Sequence, residues 1–270
     1  MTTTIQYAIR GGVVGRERLR ILARTLHAGT SALFDRLGVG VGMRCLDVGC
    51  GGGDVTLELA RRVGPRGRVI GVDIDAAKLD LARREAAEQG IDNVEFSTLD
   101  IRNGEADTGF DLVYARFLLT HLADPASAIA AFGRALRPGG LLIVEDIDFK
   151  GSFAWPETAA FQRYRELYCA VVRRRGGDPD IGPRLPILLA DSGFEQVDLH
   201  VVQPMAVQGE AKLINPITLE NIADAIVQDD LASPQEIDAL IEELYAFAAD
   251  PRTVAGLARV IQAWGRLALV

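Results

Sequence analysis

The chain has 270 residues, of which 49% are hydrophobic, so it is long and apolar enough for one large domain with a sizeable core. Its net charge of −8 argues against a nucleic-acid partner, because phosphate binding needs a basic surface. No run of about 18 apolar residues is present, so we expect no membrane partner, and residues 1–10 lack the pattern of a signal peptide. The cysteines at positions 45, 50 and 169 fit neither a disulfide framework nor a metal site, which favours a cytoplasmic location.

Residues 1–40 are predicted to form a helical cap that precedes the first strand. Apolar residues recur at helical spacing over residues 16–27, and a second short helix is expected over residues 31–37. Glycines at positions 38, 40 and 42 then interrupt the pattern. We expect the remainder, residues 41–270, to form the main domain.

Between residues 44 and 144, short apolar strands alternate with helical patterns. The predicted strands are 44–48, 68–72, 94–99, 110–114 and 141–144, and the predicted helices are 54–63, 75–89 and one that opens at Asp124-Pro125. The run Arg137-Pro138-Gly139-Gly140 predicts a type II turn before the fifth strand. Strands that alternate with helices and read as continuous apolar runs predict an α/β fold with a doubly wound, mostly parallel sheet.

The rest of the chain continues with helices and two further strands. Helices are predicted at 158–175, 185–192, 216–228 and 234–249, and a sixth strand at 197–202. Residues 257–267 fit either a helix or a strand, and we interpret them as the last of seven strands. Residues from about 210 to 252 then form a helical insertion before that strand.

A glycine-rich turn, residues 49–53, joins the first strand to the helix that follows it. Glycine tolerates positive φ and lets the backbone approach a ligand, and the helix start presents unpaired N–H groups. The spacing Asp47-x-Gly49-x-Gly51-x-Gly53 is tighter than the dinucleotide fingerprint G-x-G-x-x-G, and its acid would repel a pyrophosphate but attract a cationic amino group. These features favour S-adenosylmethionine. A nicotinamide-dependent oxidoreductase and a glycine turn without a ligand are the alternatives.

Further acids follow the second and third strands, where ligands of open α/β sheets bind. Asp73 lies 20 residues beyond Gly53, where a carboxylate can accept both ribose hydroxyls, although a solvated turn acid fits the same pattern. Asp100 can accept from an adenine amino group, and the N–H of Ile101 can serve a ring nitrogen.

The motifs at 46–53, 71–75, 99–101, 110–113 and 136–140 together resemble class I S-adenosylmethionine-dependent methyltransferases. The chain is most similar to their small-molecule branch, near the ubiquinone/menaquinone-biosynthesis type. The resemblance implies a Rossmann-like fold, S-adenosylmethionine as cofactor, S-adenosylhomocysteine as product and a small-molecule methyl acceptor. The implied cofactor-binding positions are Asp47, Gly49, Cys50, Gly51 and Gly53 in the turn, Asp73 at the ribose, Ile74, Asp100 and Ile101 at the adenine, and Ala115 and Arg116 at the methionine end.

Two residues of the predicted cap, Tyr7 and Arg18, are further candidates for cofactor binding because they precede the sheet in the chain. We expect them to close over the cofactor or to hold its carboxylate. The oligomeric state is left open, with a homodimer as one option. Besides a methyltransferase, a protein that binds S-adenosylmethionine without transferring its methyl group fits the same motifs.

His121 is the candidate catalytic base, because histidine titrates near neutral pH, but a structural histidine fits that position equally well. Arg116 is an alternative ligand for an acidic acceptor. Aromatic residues after the fifth strand are candidates for the acceptor pocket, or for the core: Phe149, Phe153, Trp155, Phe161 and Tyr164. Methyltransferases that act on amides or bases typically carry an acid or Asn, two prolines and an aromatic after the fourth strand, and the sequence Tyr114-Ala115-Arg116-Phe117 departs from that pattern. An oxygen, carbon or amine of a small molecule is therefore the expected acceptor.

Overall fold

The computed structural model describes residues 15–101 and 107–269. Its first half contains helix α1 (Arg16–Arg36), strand β1 (Arg44–Val48), helix α2 (Asp54–Val63), strand β2 (Arg68–Asp73), helix α3 (Ala76–Glu88) and strand β3 (Val94–Thr98). Strand β4 (Phe110–Arg116), helix α4 (Pro125–Ala135) and strand β5 (Leu136–Asp148) follow. The second half contains β6 (Phe153–Trp155), α5 (Ala159–Arg174), α6 (Leu185–Asp191), β7 (Phe194–Val202), β8 (Met205–Ala206), α7 (Ile214–Gln228), α8 (Pro234–Ala249), β9 (Val254–Gly256) and β10 (Arg259–Leu267).

Helix α1 is continuous, so the prediction of two helices with a break between them is wrong. The sequence predicts the break at residues 28–30, where glycine weakens the helical pattern. In the fold, Gly29 lies against Val202 of β7, and a Cβ at this position would come within 3.0 Å of a Val202 methyl group. Close packing against the sheet therefore accounts for a glycine inside this helix.

Seven strands form one sheet in the order β3-β2-β1-β4-β5-β10-β7. All neighbouring pairs are parallel except those of β10, which runs antiparallel to both β5 and β7. The predicted seven-stranded, mostly parallel α/β sheet is thus confirmed, and the ambiguous segment 257–267 contains its antiparallel strand. Strand β5 begins at Leu136, so the turn predicted at 137–140 lies within the strand instead of before it. Gly139 takes a φ of +72° there, and the register between β4 and β5 shifts beside it.

Helices cover both faces of the sheet. On one face, α1 and α2 contribute Phe34 and Leu59 to a cluster that also holds Tyr114 and Trp264. On the other, α4 and α6 contribute Phe132 and Leu189 to a larger cluster. This two-sided coverage explains why the central strands read as continuous apolar runs.

Helices α5, α7 and α8 form a second apolar core beside the carboxyl edge of the sheet. A small three-stranded antiparallel sheet, β6-β9-β8, adjoins it. Strands of two or three residues are too short to show a periodicity, and the sequence did not predict them. Within residues 15–101 and 107–269, no helix combines the length and apolarity needed to cross a bilayer.

Candidate cofactor and acceptor site

A cavity of about 180 Å³ lies at the carboxyl ends of β1, β2, β4 and β5. Helices α1 and α7 both contribute residues to its wall. The predicted site residues that line it are Arg18, Asp47, Gly49, Cys50, Gly51, Asp73, Arg116 and His121. The fold therefore brings together side chains from the cap, the glycine turn and the ends of three strands, as open α/β sheets do at their ligand sites.

The glycines of the turn have different roles. Gly49 and Gly51 adopt φ values of +71° and +54°, and the turn backbone there faces the cavity. Gly53 has a φ of +81°, but a Cβ on it would lie 2.9 Å from Ala82 and 3.1 Å from the Phe96 ring. Gly53 is thus required for packing between α2, α3 and β3, and it does not line the cavity.

Asp47 is 2% exposed and accepts a hydrogen bond of 2.6 Å from the Thr56 hydroxyl. Burial raises the pKa of its carboxyl group from 3.8 to about 7, against the opposing effects of the Thr56 hydrogen bond and the Arg116 charge. A cation entering the cavity would favour the ionised form. The site is therefore suited to an ammonium group rather than to a phosphate.

Asp73 is held by the backbone on both carboxylate oxygens. The N–H of Gly51 donates to Oδ2 and the N–H of Asp75 donates to Oδ1, each at 2.9 Å. Each oxygen keeps a second lone pair for a further donor. This arrangement fixes the carboxylate beside the turn in a position to accept two hydroxyl groups.

Arg116 lies between the cavity and a buried polar network. Its guanidinium is 3.5 Å from the Thr30 hydroxyl, and Glu145, which is 1% exposed, accepts from Thr30 at 3.1 Å and from Tyr114 at 2.8 Å. Gln262 donates a further bond of 3.1 Å to Glu145. Glu145 is not among the site residues predicted from the sequence, although an acid within the apolar run of β5 is a signal that could have identified it.

His121 ends a short 3₁₀ turn, Leu119–His121, after β4. Asp146 fixes this turn by accepting from the Thr120 N–H at 3.0 Å. Burial, followed by the charges of Arg18 and Lys78, lowers the pKa of His121 from 6.5 to about 4. The imidazole is therefore neutral at pH 7, when it can accept a hydrogen bond but is a weak base.

Two arginines at the start of α1, Arg16 and Arg18, contact different parts of the fold. Arg16, which sequence analysis did not select, packs on the glycine turn: a Cβ at Gly52 would lie 2.6 Å from its guanidinium. It also pairs with Asp54 and with Glu85. Arg18 instead donates from Nε to the Thr218 hydroxyl of α7 at 2.9 Å.

Residues 40–179 match the family model described as a methyltransferase domain, which covers more than half of the chain. The chain belongs to this methyltransferase family. Methyltransferase GfsG of Streptomyces halstedii is 34% identical over 196 residues, which are 62% of this chain and 70% of that protein. The ubiquinone/menaquinone biosynthesis C-methyltransferase UbiE of Hahella chejuensis is 39% identical over 116 residues, 41% of this chain and 45% of its own length. The chain thus spans about half the length of several curated relatives that it matches.

The fold of a candidate methyltransferase from Bacillus halodurans C-125 is similar, with a TM-score of 0.60 at 22% identity over 88% of this chain and 98% of that one. The family uses S-adenosylmethionine as cofactor. The resemblance inferred from the five motifs is therefore confirmed at the level of family and fold.

Several predicted site residues of this methyltransferase domain lie away from the cavity wall. Ile101 and Ala115 are 6% and 2% exposed and pack in the core, and Ile74 and Asp100 are half-buried. Tyr7 lies outside the described residues. Of the aromatic candidates, Phe149 and Tyr164 line the cavity, Phe161 is buried in the second core, and Phe153 and Trp155 are exposed.

Proposed function

We propose that this protein is an S-adenosylmethionine-dependent methyltransferase that methylates an oxygen, carbon or amine of a small molecule. The observation that carries the proposal is the cavity in which Asp47, the turn at Gly49–Gly51 and Asp73 meet the residues that follow β4. The family assignment and the fold support the same activity.

The residues present fit the cofactor. Asp47 offers a buried carboxylate for an amino group, and Asp73 offers two oriented oxygens for a ribose. Arg116 lines the same end of the cavity as Asp47 and is close enough to lower its pKa, so its guanidinium is available for the methionine carboxylate. Bound S-adenosylmethionine supplies a methyl group that its sulfonium has already activated for displacement.

The contribution of the chain to the reaction is mainly alignment and exclusion of water. The two ends of the cavity are held by different elements, so a donor and an acceptor bound in them would be fixed relative to each other. His121 faces the cavity as a neutral imidazole, which can orient an acceptor through a hydrogen bond. We propose no obligatory general base, because only an acceptor that must lose a proton requires one.

Calorimetric titration with S-adenosylmethionine, S-adenosylhomocysteine and NAD tests the cofactor assignment. We expect the two adenosyl ligands to bind and NAD not to bind. Asp73→Ala should weaken their binding by about 1–3 kcal/mol, because two hydrogen bonds to the ribose are lost. Asp80→Ala, on the exposed face of α3, is the matched control and should leave affinity unchanged. Unchanged affinity in Asp73→Ala would disprove the ribose assignment.

Incubation with methyl-labelled S-adenosylmethionine and a panel of small oxygen, carbon and amine acceptors tests transfer itself. Label recovered in an acceptor supports the methyltransferase. Tight cofactor binding without transfer to any acceptor class would favour the alternative, a protein that binds this cofactor for another purpose.

A further inference from the structure

The cavity has two chemically different ends. At one end, the glycine turn, Asp47 and Asp73 form a polar wall. The other end is formed by the carboxyl end of β5, by α1, α5 and α7, and by the start of β10 with the segment that leads into it. Its apolar lining comprises Leu22, Ile147, Phe149, Ile214, Leu257 and Val260. A ligand with an apolar body fits this second end.

Polar groups are few at the apolar end, and one of them is a cation. Tyr164 and Tyr168 are 1% and 3% exposed, and both line the cavity. The Tyr168 ring stacks on Phe149 with centroids 4.0 Å apart, and no described residue hydrogen-bonds to its hydroxyl. Arg18 provides the positive charge beside these two phenols.

The charge of Arg18 has only a neutral partner among residues 15–101 and 107–269. Its Nε donates to Thr218, and no carboxylate in those ranges forms an ion pair with it. Arg16, two residues earlier, is paired with both Asp54 and Glu85. A guanidinium held among apolar and phenolic groups without a counter-charge is stabilised when an anion binds to it.

On the proposed function, the carboxylate of the cofactor has a partner other than Arg18. The amino acid end of the cofactor is proposed to lie beside Asp47 and the glycine turn, where Arg116 supplies a positive charge. Arg18 contacts α7 instead, at the end of the cavity formed by α5 and α7.

We propose that the methyl acceptor is an apolar molecule that carries one anionic oxygen group, a carboxylate or an ionised phenol or enol, and that Arg18 binds this group. The inference rests on the proposed methyltransferase function and assigns Arg18 to the acceptor rather than to the cofactor carboxylate. Tyr168 and Tyr164 donate to the same group, and the apolar wall holds the body of the acceptor. Arg18 is thus a residue that determines specificity.

Calorimetric titration of the protein saturated with S-adenosylhomocysteine tests this assignment without an assay of transfer. The probes are benzoate and 2-naphthoate with their carboxamides, and 4-nitrophenolate with 4-nitroanisole. We expect an anionic probe to bind at least about tenfold more tightly than its neutral counterpart, as a charge-assisted hydrogen bond predicts. Comparison of the carboxylate probes with the phenolate probe shows which of the two anionic groups the site prefers.

Arg18→Gln should abolish this preference and leave the affinity for S-adenosylhomocysteine within about twofold, since the cofactor end is untouched. Arg24→Gln, an exposed position on the same helix paired with Glu210, is the control and should change neither quantity. Arg18→Lys, which keeps the charge, should retain the preference and guards against a folding defect in Arg18→Gln.

Two results would overturn the assignment. One is equal binding, or no binding, of anionic and neutral probes to the wild-type protein. The other is a large loss of S-adenosylhomocysteine affinity in Arg18→Gln, which would place Arg18 on the cofactor. Failure of the wild-type protein to bind S-adenosylhomocysteine at the outset would instead contradict the proposed function.

Discussion

At the scale of single residues, Asp47 shows how a binding site lowers the stability of the fold that contains it. The carboxyl group is buried and its pKa is raised to about 7, so its ionised form is disfavoured in the folded protein without a ligand. An ammonium group in the cavity would reverse this preference. The same burial that weakens the fold therefore strengthens recognition of a cation.

We predict that Asp47→Asn stabilises the protein without ligand and weakens its binding to S-adenosylmethionine. The Asp47 carboxyl group has an ordinary pKa of 3.8 and a pKa of about 7 in the fold, so the stability that its protonated form contributes is lost as pH rises from about 4 to about 7. The stability advantage of the variant should therefore be larger at about pH 8 than at about pH 5, by a few kcal/mol. Urea unfolding at both pH values measures it, and an advantage that does not vary with pH would contradict the burial argument.

We predict that His121 titrates near pH 4 and that Arg18→Gln raises its pKa towards 6.5. Burial is the largest cause of the shift and would remain, but the positive charge of Arg18 would be removed. The chain has three histidines, so their ring signals can be followed individually by NMR. Arg24→Gln should leave the His121 titration unchanged. A pKa near 6.5 in the wild-type protein would restore His121 as a candidate base.

At the scale of elements, the start of α1 is attached to α2 and α3 through one arginine. Arg16 is 4% exposed, and its Nη2 donates to Asp54 at 3.0 Å and to Glu85 at 2.7 Å. Asp54 is the first residue of α2 and Glu85 lies in the last turn of α3. Because the guanidinium also covers Gly52, this attachment helps to position the glycine turn.

We predict that Arg16→Met destabilises the protein by about 2 kcal/mol, because the partly buried Asp54 loses its arginine and Glu85 loses one of its two. Arg20→Met is the matched control on the same helix. Arg20 also pairs with Glu85, but its side chain is 45% exposed, so its loss should cost less than about 1 kcal/mol. Urea unfolding of the two variants makes the comparison, and equal losses would show that burial does not set the strength of this contact.

The elements that local signals delimit were predictable from the sequence. Strand β1 and helix α2 have the predicted bounds, since turn residues flank both. The continuous α1 was not predictable, because the reason for Gly29 is a contact with Val202 at the far edge of the sheet. A contact between residues so far apart in the chain does not affect the local hydrophobic pattern from which helices are predicted.

The candidate site was predictable to the same limited extent. Asp47 and Asp73 could be located because they follow strands, where ligands of this sheet type bind. The packing role of Gly53 depends on Ala82 and Phe96, which are distant in the chain. The orientation of Arg18 towards α7 likewise follows from a helix that the sequence places almost 200 residues later.

At the scale of the whole molecule, the cavity lies between two separate apolar cores. The sheet and its covering helices form one, and α5, α7 and α8 form the other. Cofactor-side residues follow strands of the first unit, whereas Ile147, Phe149, Tyr164 and Tyr168 at the other end of the cavity belong to the second core. The cofactor and the acceptor should therefore stabilise different helices and strands when they bind.

We predict that hydrogen exchange separates these two events. S-adenosylhomocysteine alone should slow exchange at residues 49–55 and 73–79. It should leave α7 unchanged, because α7 meets the cavity where Thr218 binds Arg18, away from the proposed cofactor position. Addition of 2-naphthoate should then slow exchange in α7. At a ligand concentration about 100 times its dissociation constant, amides whose opening releases the ligand should exchange about 100-fold more slowly. If S-adenosylhomocysteine alone protected α7 as strongly as the glycine turn, the two ends of the cavity would form a single binding site. The assignment of Arg18 to the acceptor instead of the cofactor would then be wrong.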